Sequence, residues 1–308
     1  MLPVNLQDSV RQVLSSLGDI SVVVAAKPVG GGCINNGMHL STRSGHYFLK
    51  WNNNVLPGMF EAEAFGLKRI RETQTVRVPE VLAVGKKTDD QPAFLLMEWL
   101  EADVNPNERD NIRDKDKQYL LGQQVAMMHR CQPAAGSRGY GWDISNYIGS
   151  NVQVNDWRSN WPIFFAENRL GFQGKLAVKN GLMPAGRRSK LERVIERLDV
   201  FLDARLERAS SLLHGDLWGG NVIPAAGGMA LIDPAAYYGD REAEMAFTEL
   251  FGGFLPDFYQ GYHDVFPLDE GYARRKDLYN LYHLLNHLNL FGEAYGPQVD
   301  DVLRQYAG

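Results

Sequence analysis

The 308-residue sequence is short of most features that would mark an unusual protein. It holds two cysteines, Cys33 and Cys131, too few for a disulfide framework, and spacing does not decide whether they pair. A reducing cytoplasm is the expected setting. No apolar run approaches the roughly 18 residues that a spanning helix needs; among the longest is the short stretch Ala93 to Met97, with Trp99 and Leu100 beyond it. A membrane protein is not expected. The N-terminus lacks a basic region followed by a compact apolar run, so it does not read as a signal peptide. There is no block of five like charges, no internal repeat and no low-complexity tract. With 32 Lys and Arg against 37 Asp and Glu, the net charge is −5, which gives a nucleic-acid partner no electrostatic support. What remains is 44% apolar and 22% charged, a composition that supports a sizeable core.

The pattern along the chain changes once. Leu6, Val10, Val13, Leu14 and Leu17 follow helical spacing and predict a first amphipathic helix. A β-rich third follows, with extended segments over 20–29, 34–42, 46–52, 76–85 and 92–100, the fourth broken at Pro79. A helix over about 58–71 is inserted among them. These predict a five-stranded antiparallel sheet with one inserted helix. From Asp114 onward the runs are helical, clearest at 117–130, 187–209 and 274–292. The class is therefore α+β, with an N-terminal lobe over 1–100, a hinge at 97–100 and a mainly α lobe over 101–308.

The chemistry concentrates in SLLHGDLWGGNVIPAAGGMALIDPAAYYGDRE. Two short apolar runs, Val222 to Pro224 and Met229 to Ile232, flank AAGG, a plausible four-residue hairpin loop. Folded antiparallel, they return Asp233 beside Asn221, and an amide oxygen with a carboxylate suits a hard cation such as Mg²⁺. Asp216 precedes Asn221 by five, the spacing of a kinase catalytic loop in which Asp takes the hydroxyl proton while Asn and a later Asp hold metal. A kinase also needs a cation on the nucleotide phosphates, and Lys50 is the candidate. On the helix near Gly58, Phe60, Ala64 and Leu67 form an apolar stripe into which Glu63 falls and from which Glu61 points away. A carboxylate facing a core needs a partner, so Glu63 is paired with Lys50.

Weaker signals surround this set. Gly31 and Gly32, within a run of three glycines, could cover phosphates with backbone N–H groups, although no established Gly-rich motif is matched. Glu98, Trp99 and Leu100 fall where a hinge would meet an adenine edge, an expectation that depends on the fold alone. His283 and His287 stand four apart on a helix rich in Leu and Tyr, and read as core or pocket-lining residues rather than zinc ligands. Trp218 and His214 belong to the wall or the support of the catalytic loop. Cys33, beside the glycines, is a candidate redox switch, either through a sulfenic acid or through a disulfide to a second copy.

Taken together, GGCIN at 31–35, YFLK at 47–50, MFEAEAFGL at 59–67, NDWRSNWPIFFAENRL at 155–170, HGDLWGGN at 214–221, DPAAYYGDRE at 233–242, LFGGF at 250–254 and LYHLLNHLNLFG at 281–292 resemble the fructosamine kinase, or ketosamine-3-kinase, family. That family lies in the aminoglycoside phosphotransferase-like branch of the protein-kinase fold. One departure is Gly219, where the family commonly has Ser. The resemblance implies ATP- and Mg²⁺-dependent phosphorylation of the 3-hydroxyl of ketosamines, free or on glycated proteins, which starts deglycation. It makes Asp216 the base, Lys50 with Glu63 the phosphate clamp, Asn221 and Asp233 the metal ligands, and Glu98 to Leu100 the adenine hinge. An aminoglycoside- or choline-type kinase would share every one of these residues. A nucleotide-binding pseudokinase scaffold is the alternative of another class.

Overall fold

The computed structural model describes residues 2–30, 35–101, 113–133, 139–202 and 209–308. Gly31, Gly32, Cys33 and the segments 102–112, 134–138 and 203–208 lie outside the described residues.

Helix α1 (Val4–Ser16) buries Leu6, Val10 and Leu14 on one stripe, as the sequence spacing requires. The stripe covers one face of a five-stranded antiparallel sheet made of β1 (Ala25–Val29), β2 (Asn36–Ser41), β3 (His46–Asn52), β4 (Val81–Gly85) and β5 (Ala93–Glu98). The spatial order is β1-β2-β3-β5-β4. Helix α2 (Met59–Glu72) joins β3 to β4 and packs on the opposite face. Alternation along β5 makes this possible: Phe94 and Leu96 turn to α1, whereas Leu95 and Met97 join Phe60 and Leu67 of α2.

Four strands differ from expectation, β5 only in its ends, which fall at Ala93 and Glu98 rather than at 92 and Leu100. β1 begins at Ala25, not near Ile20, because its partner β2 ends at Ser41; Val24 N–H to Ser41 O, at 2.8 Å, is the last bond across. β2 itself spans only Asn36–Ser41 of the expected 34–42. The segment around Pro79 splits as predicted, but Arg77 pairs in parallel with Ala230 of the second lobe.

From residue 113 onward helices dominate. Asp114 caps α3 (Lys115–His129) by accepting the Lys117 N–H at 3.1 Å. A small hairpin of β6 (Asn146–Ile148) and β7 (Asn151–Gln153) follows. Next come α4 (Trp161–Phe164), a π-helical stretch Phe165–Gly171, α5 (Phe172–Lys179), α6 (Ala185–Glu196) and α7 (Leu198–Phe201). The helical run expected over 187–209 thus breaks at Arg197, whose φ of −111° and ψ of 10° leave the helix. Strand β8 (Ser211–Leu213) precedes the hairpin of β9 (Val222–Ala225) and β10 (Gly228–Leu231), and β11 (Tyr237–Gly239) returns to pair with β8. Helices α8 (Arg241–Leu250), α9 (Pro256–Val265), α10 (Tyr272–Phe291) and α11 (Gly296–Ala307) complete the lobe. α3 and α9 lie so close that a Cβ at Gly122 would stand 2.0 Å from the Phe258 carbonyl oxygen.

Candidate active site

Because Leu49 faces α1, its neighbour Lys50 projects from the other face of β3 toward α2. Its ammonium lies 2.8 Å from Glu63 Oε2, 3.0 Å from Glu63 Oε1 and 3.0 Å from Asp233 Oδ1. Glu63, not Glu61, makes the pair, as the helix phase required. Burial works against the charge on Lys50, but Glu63 and Asp233 outweigh it, and the lysine is held protonated above its ordinary value.

The loop that carries Asp216 leaves β8 at His214. Gly215 has φ +82°, and a Cβ there would meet the Ala235 carbonyl oxygen at 2.1 Å, so only glycine fits. His214 is fully buried; its Nε2–H donates to the Ile232 carbonyl at 2.9 Å, and its Nδ1 accepts the Asp216 N–H at 3.3 Å. Burial lowers its pKa and keeps the ring neutral. Of the two roles the sequence left open, His214 therefore takes loop support rather than a place on the pocket wall.

The β9–β10 ladder closes at Ala225 opposite Gly228, so the loop is the two residues Ala226 and Gly227, not the four expected. Its effect is the expected one: the Ile232 N–H donates to the Asn221 carbonyl at 3.0 Å, which sets Asp233 beside Asn221. Asn221 Nδ2 donates to the Asp216 carbonyl at 2.8 Å and to its Oδ2 at 3.1 Å. Asp233 adopts φ +56°, a left-handed conformation that Asp tolerates better than most residues and that often marks functional sites. Burial, with Asp233 and Glu244 adding and Asn221 and Lys50 opposing, pushes the Asp216 carboxyl up to about 7.

These groups line one side of a cavity of about 590 Å³. The facing wall is aromatic, with Trp218, Phe247, Phe251, His287, Phe291 and Tyr295, and the turn of the β6–β7 hairpin closes one flank. His287 faces the cavity with Nδ1–H donating to the His283 carbonyl at 2.8 Å, while His283 is buried and stacked 3.6 Å from the Phe247 ring. The three residues expected at the hinge, Glu98, Trp99 and Leu100, lie outside the cavity lining. Glu98 N–H donates to the Glu80 carbonyl at 2.9 Å, and the Glu98 side chain pairs with Arg77 at 2.5 Å. Trp99 stacks on His39 at 3.9 Å, and Leu100 packs against Ala225 and Ala230.

The sequence reading missed what anchors the loop. Glu244 on α8 accepts the backbone N–H groups of His214 at 3.0 Å and Gly215 at 2.6 Å, and takes His129 Nε2 at 2.8 Å. His129 Nδ1 in turn meets the Tyr262 hydroxyl at 2.8 Å, which the close approach of α3 and α9 permits. Burial alone would raise the pKa of Glu244; the hydrogen bonds from His129 and the Gly215 N–H lower it instead. One signal was available: His129 lies on the stripe of Leu121 and Val125, and a polar ring on a buried stripe needs a partner.

A clamped lysine above an Asp–Asn loop, between a five-stranded sheet and a helical lobe, defines a phosphotransferase of protein-kinase-like fold. Comparison with known proteins places the chain more narrowly. It belongs to the fructosamine kinase family, whose model, described as fructosamine kinase, matches residues 6–307. It is 41% identical over 304 residues to a probable ketoamine kinase of Synechocystis, covering 98% of this chain and 97% of that one. It is 37% identical over 305 residues to the chloroplastic protein-ribulosamine 3-kinase of Oryza sativa subsp. indica, covering 97% and 84%. Among solved structures, a candidate fructosamine-3-kinase from Thermobifida fusca is similar with a TM-score of 0.82 and 30% identity, covering 98% and 99%.

Proposed function

We propose that this protein transfers the γ-phosphoryl group of ATP to the 3-hydroxyl of a ketosamine, the adduct of a sugar on an amine, with Asp216 as general base. The observation that carries the reading is the placement of Asp216: its carboxylate is oriented by Asn221 and opens to a cavity that has Lys50 on one wall and aromatic rings on the other, and burial pushes its pKa up to about 7. Family membership and the ketoamine and ribulosamine acceptors in the names of the relatives support the acceptor class. The acceptor hydroxyl gives its proton to Asp216 as its oxygen bonds to the γ-phosphorus and the bond to ADP breaks. Lys50, kept charged and fixed by Glu63, steadies the nucleotide phosphates.

The donors present fit Mg²⁺. Asn221 spends its Nδ2 on Asp216 and so keeps its carbonyl oxygen, and Asp233 Oδ1 faces Lys50, which leaves Oδ2. The Asn221 amide oxygen and the Asp233 carboxylate oxygen are hard donors of the kind that suits this cation. When bound there, the ion would offset phosphate charge.

ADP release over a panel of fructosyl-, ribulosyl- and erythrulosyl-amines, aminoglycosides and choline tests the reading. A ketosamine should lead in kcat/KM by about tenfold or more. Turnover confined to an aminoglycoside or choline, or ATP binding with no turnover on any acceptor, would replace it with one of the alternatives.

A further inference from the structure

We propose that the β6–β7 hairpin couples the acceptor to the lysine clamp, with Tyr147 as the positioning residue that carries the coupling. The inference rests on the ketosamine kinase reading above and concerns how its two substrates sense each other.

The hairpin is tied to three segments around the site. At its base, Asn146 Nδ2 donates to the Ala236 carbonyl at 2.8 Å, and Gln153 Nε2 to the Ala235 carbonyl at 2.9 Å, both within three residues of Asp233. Gln153 Nε2 also donates to Asn146 Oδ1 at 2.8 Å, tying the two strands together. On one side, Asn151 Nδ2 donates to Asn286 Oδ1 of α10 at 2.9 Å, and Asn286 lines the cavity. On the other, the Tyr147 hydroxyl donates to the Pro57 carbonyl at 2.6 Å, a contact between the two lobes. Its turn, Gly149 and Ser150, stands on the cavity wall where an acceptor docked at Asp216 would meet it.

Pro57 matters because it leads directly into α2. Gly58 adopts φ +74° and caps that helix, so the direction of the chain at Pro57 and Gly58 sets where its first turn starts. Glu63 comes about one turn later, and Met59 and Ala62 line the same cavity. Further along α2 there is little slack: a Cβ at Gly66 would stand 3.3 Å from Ala236 Cβ and 3.4 Å from Pro234 Cγ. A sugar that holds the hairpin turn therefore also holds Pro57, and with it the helix that aims Glu63 at Lys50. Both ligands favour one arrangement of the lobes, so each tightens the other by the same factor.

Calorimetry with a non-hydrolysable ATP analogue in Mg²⁺ buffer, with and without a saturating ketosamine that the enzyme turns over, tests this. In the wild type the acceptor should lower the Kd of the analogue by about fivefold or more, and the analogue should lower the Kd of the acceptor equally. Tyr147→Phe, which removes one hydroxyl, should bring that ratio close to unity whatever the individual affinities become. Asn151→Ala, which frees the hairpin from α10, should also reduce it. A merely structural role would change the melting temperature and leave the ratio alone. A wild type without coupling, or Tyr147→Phe with wild-type coupling, overturns the inference. If no ketosamine is turned over, the underlying reading fails as well; turnover with undiminished coupling in the variants removes this inference alone.

Discussion

Asp216 sits near two other carboxylates, Asp233 and Glu244, and burial with their charges moves its pKa from an ordinary 3.8 to about 7. The folded state therefore binds this proton more tightly than the unfolded chain. Its contribution to stability is full below the unfolded value and is lost as pH rises through the folded one. Asp216→Asn cannot ionise, so without nucleotide or metal it should melt above the wild type at about pH 8.5, with the difference shrinking as pH falls below about 7 and gone only below about 3.8. Its turnover should fall by about 10²-fold or more. Thermal melts of both proteins across that range check the point, and a difference independent of pH would contradict it. Lys50, Asp216, Asn221 and Asp233 were legible in the sequence because a short loop and a hairpin fix three of them locally. Glu244 was not. Its partners are 29 and more residues away, and nothing near it in sequence distinguishes a loop anchor from one more acidic residue on a helix.

Among the elements, α2 is the one whose phase the sequence settled. Phe60 and Leu67 are buried as expected, although Ala64 is only half-buried and the buried stripe runs instead through Glu63, Gly66 and Ile70. Glu63→Gln weakens the hold on Lys50, so it should raise the KM for ATP and lower kcat by about tenfold, while Glu61→Gln should change neither. Steady-state kinetics in ATP separate the two, and a sensitive Glu61 would mean that the pairing is wrong. Other elements hid their limits. No glycine or proline marks the break between α6 and α7 at Arg197, and the length of β1 is set by where β2 stops, which is a property of its partner. The hairpin loop was misjudged by two residues because Ala225 and Gly228 read as turn residues but pair across the ladder.

For the whole molecule, the change from extended to helical pattern was enough to predict the two-lobed α+β class. The cavity was not legible, since its aromatic wall is gathered from the catalytic loop, α8, α10 and the residues after α10, and tertiary packing alone brings them together. Charge and composition gave a nucleic-acid partner no support and did not name the acceptor. The site accounts for phosphoryl transfer to a hydroxyl, and the hydroxyl proposed above is the 3-hydroxyl of a ketosamine. Phosphorus and carbon NMR of the product formed from ATP and a fructosyl-amine measures this directly. The account predicts a phosphate on carbon 3, formed by the wild type and not by Asp216→Asn, followed by breakdown of the adduct to release the free amine. Phosphate on another carbon, or ADP and inorganic phosphate with the adduct unchanged, would contradict it.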